Sequence, residues 1–231
     1  MLEILYQDED LIAINKPHDL LVHQSPIARN AEVFAIQLLR DQIGRKVYPA
    51  HRLDRKTSGI LLFTLEKECD KKLQLQFSNQ EVKKVYHALV RGFTAAEGSI
   101  DYALKREEDG KIQEAVTHYK TLRYFEIPVV HGNFATSRYS LVEIYPETGR
   151  FHQIRKHFAH ILHPIIGDRP HGCNKQNKLW KEQFQMTNML LHAGEILFKH
   201  PKNELLLTIT AAKSEVFNTV INLLEKNSLL K

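Results

Sequence analysis

Apolar and polar residues alternate from the first positions of the chain: Leu2, Ile4 and Tyr6 share one face, an acidic turn runs from Gln7 to Asp10, and Leu11-Ile12-Ala13-Ile14 follows. The pattern predicts a β-hairpin stopped at Lys16-Pro17, because a residue before proline is held extended and proline has no N–H to give a ladder. Between Ala31 and Ile43 the period lengthens. Val33, Ile36, Leu39 or Leu38, and Ile43 recur at helical spacing with Gly44 just beyond, which predicts an amphipathic helix with a glycine stop. Gly59 opens the continuous apolar run Ile60-Leu61-Leu62-Phe63, the mark of a strand buried on both faces. Cys69, Leu73 and Phe77 then line one face of a helix over about Lys67 to Asn79. Further strands are predicted at Val85 to Val90, Val116 to Tyr124, Arg138 to Tyr145, Leu190 to Phe198 and Glu204 to Ala211, with helices at about Arg150 to Leu162 and Glu215 to Glu225. The charged segment Lys105 to Lys111 reads as a solvated loop. Pro164 to Thr187 reads as a long irregular connection, the kind of segment where function tends to sit. Strands outnumber helices without alternating strictly with them, so the expected class is α+β, a mixed, largely antiparallel central sheet flanked by helices and loops.

Composition narrows the function classes. With 231 residues and 43% of them hydrophobic, the chain can bury a core, which excludes disorder. No run approaches the roughly 18 uncharged apolar residues of a membrane span. Glu3 and the acidic turn stand where a signal peptide needs basic residues, so a cytoplasmic protein without a cleaved leader is expected. Cys69 and Cys173 form no Cys-x-x-Cys pair and read as reduced thiols. The 32 basic residues outnumber the 27 acidic ones, a formal charge of +5. That bias suits a polyanionic partner.

Three clusters could carry chemistry. His51-Arg52-Leu53-Asp54-Arg55-Lys56-Thr57-Ser58-Gly59 stands directly before the buried strand. It is either a solvated turn whose ion pairs are worth little, or a carboxylate kept ionised by nearby arginine and used as nucleophile or base. Thr148-Gly149-Arg150-Phe151-His152-Gln153-Ile154-Arg155-Lys156 follows a strand and opens a helix, where free N–H groups and added cations favour phosphate. Lys83-Lys84-Val85-Tyr86 leads into a strand, and an aromatic there is most often structural. His157, His160 and His163 recur in threes, but no thiolate, carboxylate or His-x-x-x-His pair completes a zinc set, so no metal is expected. No phosphate loop, Gly-x-Ser-x-Gly elbow or dinucleotide fingerprint is present.

Taken together, these residues resemble the RluA family of pseudouridine synthases. The resemblance rests on His51-Arg52-Leu53-Asp54 with Thr57-Ser58-Gly59, on Lys84-x-Tyr86, whose tyrosine lies 32 residues after Asp54, and on Gly149-Arg150-x-His152-Gln153-Ile154-Arg155. Asn15-Lys16-Pro17, Leu21-Val22-His23, His163-Pro164-Ile165-Ile166-Gly167-Asp168 and Leu191-His192-Ala193 agree as well. It covers the chain to about Thr210, with Ile154 where leucine is common.

The resemblance implies a pseudouridine synthase fold and the isomerisation of uridine in RNA without cofactor or metal. Asp54 would be the nucleophile, at C1′ or C6, with Arg155 as its ion-pair partner and Tyr86 stacked on the uracil. Arg52 would fill the space left by a flipped base. His51, Thr57, Ser58, Gly59, Lys16, Lys84, Arg150, His152, Gln153 and Ile154 would line the substrate. The whole chain, 1–231, would be a single catalytic domain, since a sheet starting at residue 2 leaves no room for an N-terminal S4-type RNA-binding domain. That favours tRNA over ribosomal RNA, and the segments Leu2 to Glu9 and Pro164 to Gly172 resemble the members of the family that act on the acceptor/T-stem region of tRNA. A non-catalytic RNA-binding module is the remaining alternative. A monomer without an obligate protein partner is expected.

Overall fold

The computed structural model describes residues 1–23 and 33–230. Along the chain the elements are β1 (Glu3–Gln7), β2 (Leu11–Lys16), α1 (Ala35–Ile43), β3 (Tyr48–Pro49), β4 (Ser58–Thr64), α2 (Lys67–Ser78) and β5 (Lys83–Arg91). Then come β6 (Glu97–Asp101), β7 (Leu104–Lys105), β8 (Ile112–Gln113), β9 (Val116–Ile127), β10 (Ser137–Pro146) and α3 (Gln153–His160). The last are α4 (Asn174–Phe184), β11 (Leu191–Lys199), β12 (Leu206–Thr210) and α5 (Glu215–Asn227). The class is α+β, as the pattern predicts. None of the described helices is long and apolar enough to cross a membrane.

The chain divides into two compact units, Met1–Lys84 with His192–Ser214, and Val85–Leu191 with Glu215–Lys231. In the first, β2 pairs antiparallel with β1 and β4, β4 runs parallel to β11, and β12 closes on β11. Every residue of β4 is buried, which is why its sequence is continuously apolar rather than alternating. Leu73 of α2 and, at its edge, Phe77 pack with Leu11, Ala13, Ile60, Leu62 and Phe198, the helical face that the spacing picks out. The hairpin turn is held by the Asp8 carboxylate, which accepts N–H bonds from Asp10 and Leu11 at 2.8 and 2.7 Å.

In the second unit β10 pairs antiparallel with β5 and β9, and β6 extends β9. Side chains on β5 alternate between two cores. Ala88 and Val90 meet Ile154 and Phe158 of α3, whereas Leu89 meets Trp180 of α4 and Phe217, Val220 and Leu224 of α5. Burial of a side chain of this size contributes roughly 1.5–3 kcal/mol, so helices cover both faces of this sheet.

Three expectations need correction. Pro164 to Thr187 is not irregular throughout, since α4 occupies its centre. This helix has no side-chain N-cap and its C-cap is Gln185 in a left-handed conformation, so the usual start and stop signals are absent. Its fully buried residues are Trp180 and a polar one, Gln176, whose Oε1 accepts the Tyr139 hydroxyl at 2.9 Å, with Leu179 and Phe184 packed at the core's edge. The loop expected at Lys105 to Lys111 is solvated, and it forms the turn of the short β7–β8 hairpin. The helix expected from Arg150 begins at Gln153, after a turn in which His152 has φ 56°, and the last strand begins at Leu206 after a turn ending at Glu204. The first helix starts at Ala35, and its expected onset at Ala31 lies outside the described residues.

Candidate active site

The ends of three strands in the first unit lie in register. Lys16 pairs with Gly59 across β2 and β4, and Ser58 and Gly59 pair with His192 and Ala193 across β4 and β11. Three sequence motifs far apart in the chain therefore meet at the root of the loop that carries Asp54. Gly59 has φ +106°, and a Cβ there would lie 2.2 Å from the carbonyl oxygen of Ala193. Gly59→Ala should accordingly push β4 from β11 and cost about 3 kcal/mol or more, read as a lowered denaturant midpoint; an unchanged midpoint would contradict the close approach.

Lys16 is fully buried. Its ammonium donates to the carbonyls of Pro17, Leu20 and Arg55 at 2.8, 2.8 and 3.1 Å, so it ties the end of β2 to the residue after Asp54. Burial pulls its pKa down to about 7, while the charges of Asp54 and Asp19 pull the other way. Thr57 donates its N–H to the Asp54 carbonyl at 3.1 Å, closing the turn, and Asp54 itself is half-buried. The neighbouring cations turn elsewhere: Arg55 and Lys56 both pair with Asp19, at 2.8 and 2.7 Å. Arg52 is exposed.

Ser58 and His192 form a buried pair at 3.0 Å, and the other ring nitrogen of His192 lies 3.2 Å from the Ala211 carbonyl. A carbonyl can only accept, so His192 carries its proton on Nε2 and its Nδ1 accepts from the Ser58 hydroxyl. Thr57 and Ser58 are thus enclosed supports of the loop. His51 accepts the Leu62 N–H on Nε2 at 3.1 Å and stacks on Phe77. Burial, reinforced by Lys84, lowers its pKa to about 4. Lys84 is half-buried; burial and Lys83 bring its pKa to about 8.

The His51 shift has a consequence for stability. Below pH 6.5 the unfolded imidazole takes up a proton that the folded one refuses until about pH 4, so stability falls as pH drops across that window, by up to about 3 kcal/mol. Urea unfolding between pH 7 and 4 should show this slope, and His51→Gln should make it shallower, leaving the part due to other histidines whose pKa burial lowers, such as His18. An equal slope in the variant would exclude His51 as its source.

In the second unit Arg155, on α3, is buried and forms a two-pronged pair with Asp168: Nε to Oδ2 and Nη2 to Oδ1, each 2.7 Å. Asp168 also accepts the His171 N–H at 3.3 Å, while Asn177 of α4 accepts the Gly167 N–H at 2.9 Å and donates to the Asp168 carbonyl at 2.7 Å. A fork held this way fixes the guanidinium plane. Gln153 is buried and spends its amide on the turn before α3: its oxygen accepts from Thr148 and from the Arg150 N–H, and its nitrogen donates to Val116 and Thr117. Ile154 packs in the core, and Tyr86, on β5, is half-buried against the same cluster. Arg150 donates Nε to the Glu114 carbonyl at 3.1 Å, and Nδ1 of His152 lies 2.9 Å from Nε2 of His171.

Sequence reasoning did not single out Asp168. Its signal was its place in the matched segment His163 to Asp168. The histidines at three-residue steps go separate ways: His157 to Thr117 and the Tyr102 carbonyl, His160 against the Tyr102 ring, His163 to the Arg91 carbonyl.

Comparison with known proteins gives a consistent picture. The sequence family described as RNA pseudouridylate synthase matches residues 10–160. A protein of Vibrio vulnificus named tRNA pseudouridine synthase C is 45% identical over 100% of this chain and 98% of its own length. One of Yersinia pestis with the same name is 46% identical, over 93% of this chain and 88% of its own. Among solved structures, human RNA pseudouridylate synthase domain containing 4 superposes with a TM-score of 0.73 at 25% identity, over 96% of this chain and 93% of that one. With the match extending from the β1–β2 turn through Asp54 and Tyr86 to Arg155, the chain belongs to the RNA pseudouridylate synthase family.

Proposed function

We propose that this enzyme isomerises a uridine in the acceptor/T-stem region of tRNA, with Asp54 as covalent nucleophile. The observation that carries the reading is the in-register assembly of Lys16, Ser58–Gly59 and His192–Ala193 at the root of the Asp54 loop, in a chain whose relatives, alike over nearly their whole length, are named for tRNA. Uridine and pseudouridine are isomers. The N1–C1′ bond breaks, the base turns, and C5 bonds to C1′ while its proton is lost and N1 gains one. Neither an electron carrier nor an energy source is needed.

In this reading Asp54 attacks C1′ or C6 as the carboxylate. Arg155, its plane set by Asp168, keeps that carboxylate ionised and oriented, and Tyr86 stacks on the uracil. A stem nucleotide must leave its helix at a cost of a few kcal/mol, and exposed Arg52 fills the gap. His51, Thr57, Ser58, Gln153 and Ile154 serve the substrate indirectly, through the loop and turn they hold, whereas Lys84, Arg150 and His152 meet RNA. The enzyme works as a cytoplasmic monomer. Mapping pseudouridine in tRNA and ribosomal RNA from a strain lacking the gene tests the target: the modification should vanish from one acceptor/T-stem site, and a loss confined to ribosomal RNA would overturn the tRNA assignment.

A further inference from the structure

Lys156 and His160 lie four residues apart and so share one face of α3, turned away from core-forming Ile154 and Phe158, and Phe151 and His152 precede the helix in the turn that leads into it. Two exposed aromatic rings lie along it. Phe151, 43% exposed, stacks on His152 with centroids 3.8 Å apart and planes at 21°. Tyr102, 44% exposed, stacks on His160 at 3.7 Å and 17°. Between the two stacks the Lys156 ammonium stands 5.4 Å from the Phe151 centroid and 3.3 Å from Glu107. Neither ring is among the residues of the two core clusters described for this unit, and each keeps a large exposed area beyond its contact with a histidine.

We propose that this face is a strip that stacks the RNA bases flanking the target uridine, with Phe151 and the Tyr102–His160 pair as its aromatic contacts and Lys156 as its phosphate contact. The proposal rests on the functional reading above and extends it to substrate recognition. Aromatic faces interleaved with cations are the chemistry of sequence-tolerant RNA contacts. The exposed pair with Glu107 is worth little, so Lys156 can exchange that carboxylate for a phosphate. Along α3, from 153 to 160, the strip measures about 10 Å at 1.5 Å per residue, room for about three bases at 3.4 Å each. Lys156, at its centre, is the sequence neighbour of Arg155, which the functional reading assigns to the reacting nucleotide.

The test compares wild type with Tyr102→Ala/Phe151→Ala for binding to an unmodified tRNA transcript by filter retention. Loss of both stacking contacts should raise Kd about 30-fold or more, with Tyr102→Phe staying near wild type. 2-Aminopurine placed beside the target should be quenched by wild type and not by the double variant. Lys156→Ala should lower the log–log salt slope by about one. A double-variant Kd within twofold of wild type, or an equal loss in Tyr102→Phe, overturns the strip. A wild-type protein that binds the transcript yet forms no pseudouridine would instead count against the functional reading, while the Kd comparison still decides the strip.

Discussion

Asp54→Asn is expected to reduce pseudouridine formation at least about 10³-fold, a loss of ~4 kcal/mol of transition-state stabilisation, with tRNA affinity within about threefold of wild type. The substitution is nearly isosteric. It leaves the backbone bond from Thr57 to the carbonyl of residue 54, and the Lys16 clamp on the neighbouring Arg55 carbonyl, so the loop should keep its shape. What disappears is the anionic oxygen, and an amide cannot form the covalent intermediate at useful rates. Single-turnover release of tritium from C5-labelled uridine, measured beside filter binding, separates the two effects. Wild-type release would remove Asp54 from the chemistry, and parallel loss of binding would make it a structural residue.

The second large effect concerns the Arg155–Asp168 pair. Arg155→Ala leaves the Asp168 carboxylate, 1% exposed, without its cation in the interior, and removal of one partner of a buried pair costs about 3–5 kcal/mol. Stability and activity should fall together. Arg155→Met/Asp168→Leu should recover much of the stability, because the uncompensated charge is gone, but none of the activity, because the guanidinium is gone too. Thermal melts and turnover on the same samples check this. Activity in the double variant would show that Arg155 only supports the fold, and unaltered stability in Arg155→Ala would mean that the pair is not the anchor its geometry implies.

These expectations show where the sequence was informative and where it was silent. The fully buried strand at Ser58–Thr64 was legible because burial on both faces removes alternation, and the inward face of α2 because Cys69, Leu73 and Phe77 keep helical spacing. Helix α4 was hidden: without capping side chains, and with Gln176 as one of its inward residues, it offers almost no apolar periodicity. Asp54, Tyr86 and Arg155 could be named from matched motifs, yet spacing could not tell that Arg55 and Lys56, the cations beside Asp54, turn to Asp19. Nor could it tell that Arg155 takes Asp168 as a partner, since that pair joins a helix to a turn and depends on tertiary packing. Lys16 was expected among the residues lining the substrate. Its burial and three carbonyl acceptors make it a brace for the Asp54 loop.

The central claim is that this chain converts uridine to pseudouridine in tRNA by itself. Purified protein incubated with an unmodified tRNA transcript in buffer containing only salt and chelator, followed by nucleoside digestion and chromatography, tests it most directly. The account predicts one pseudouridine gained for one uridine lost per tRNA, with no change in total mass. A transcript recovered with all its uridines intact, under conditions where the protein binds it, would contradict the account.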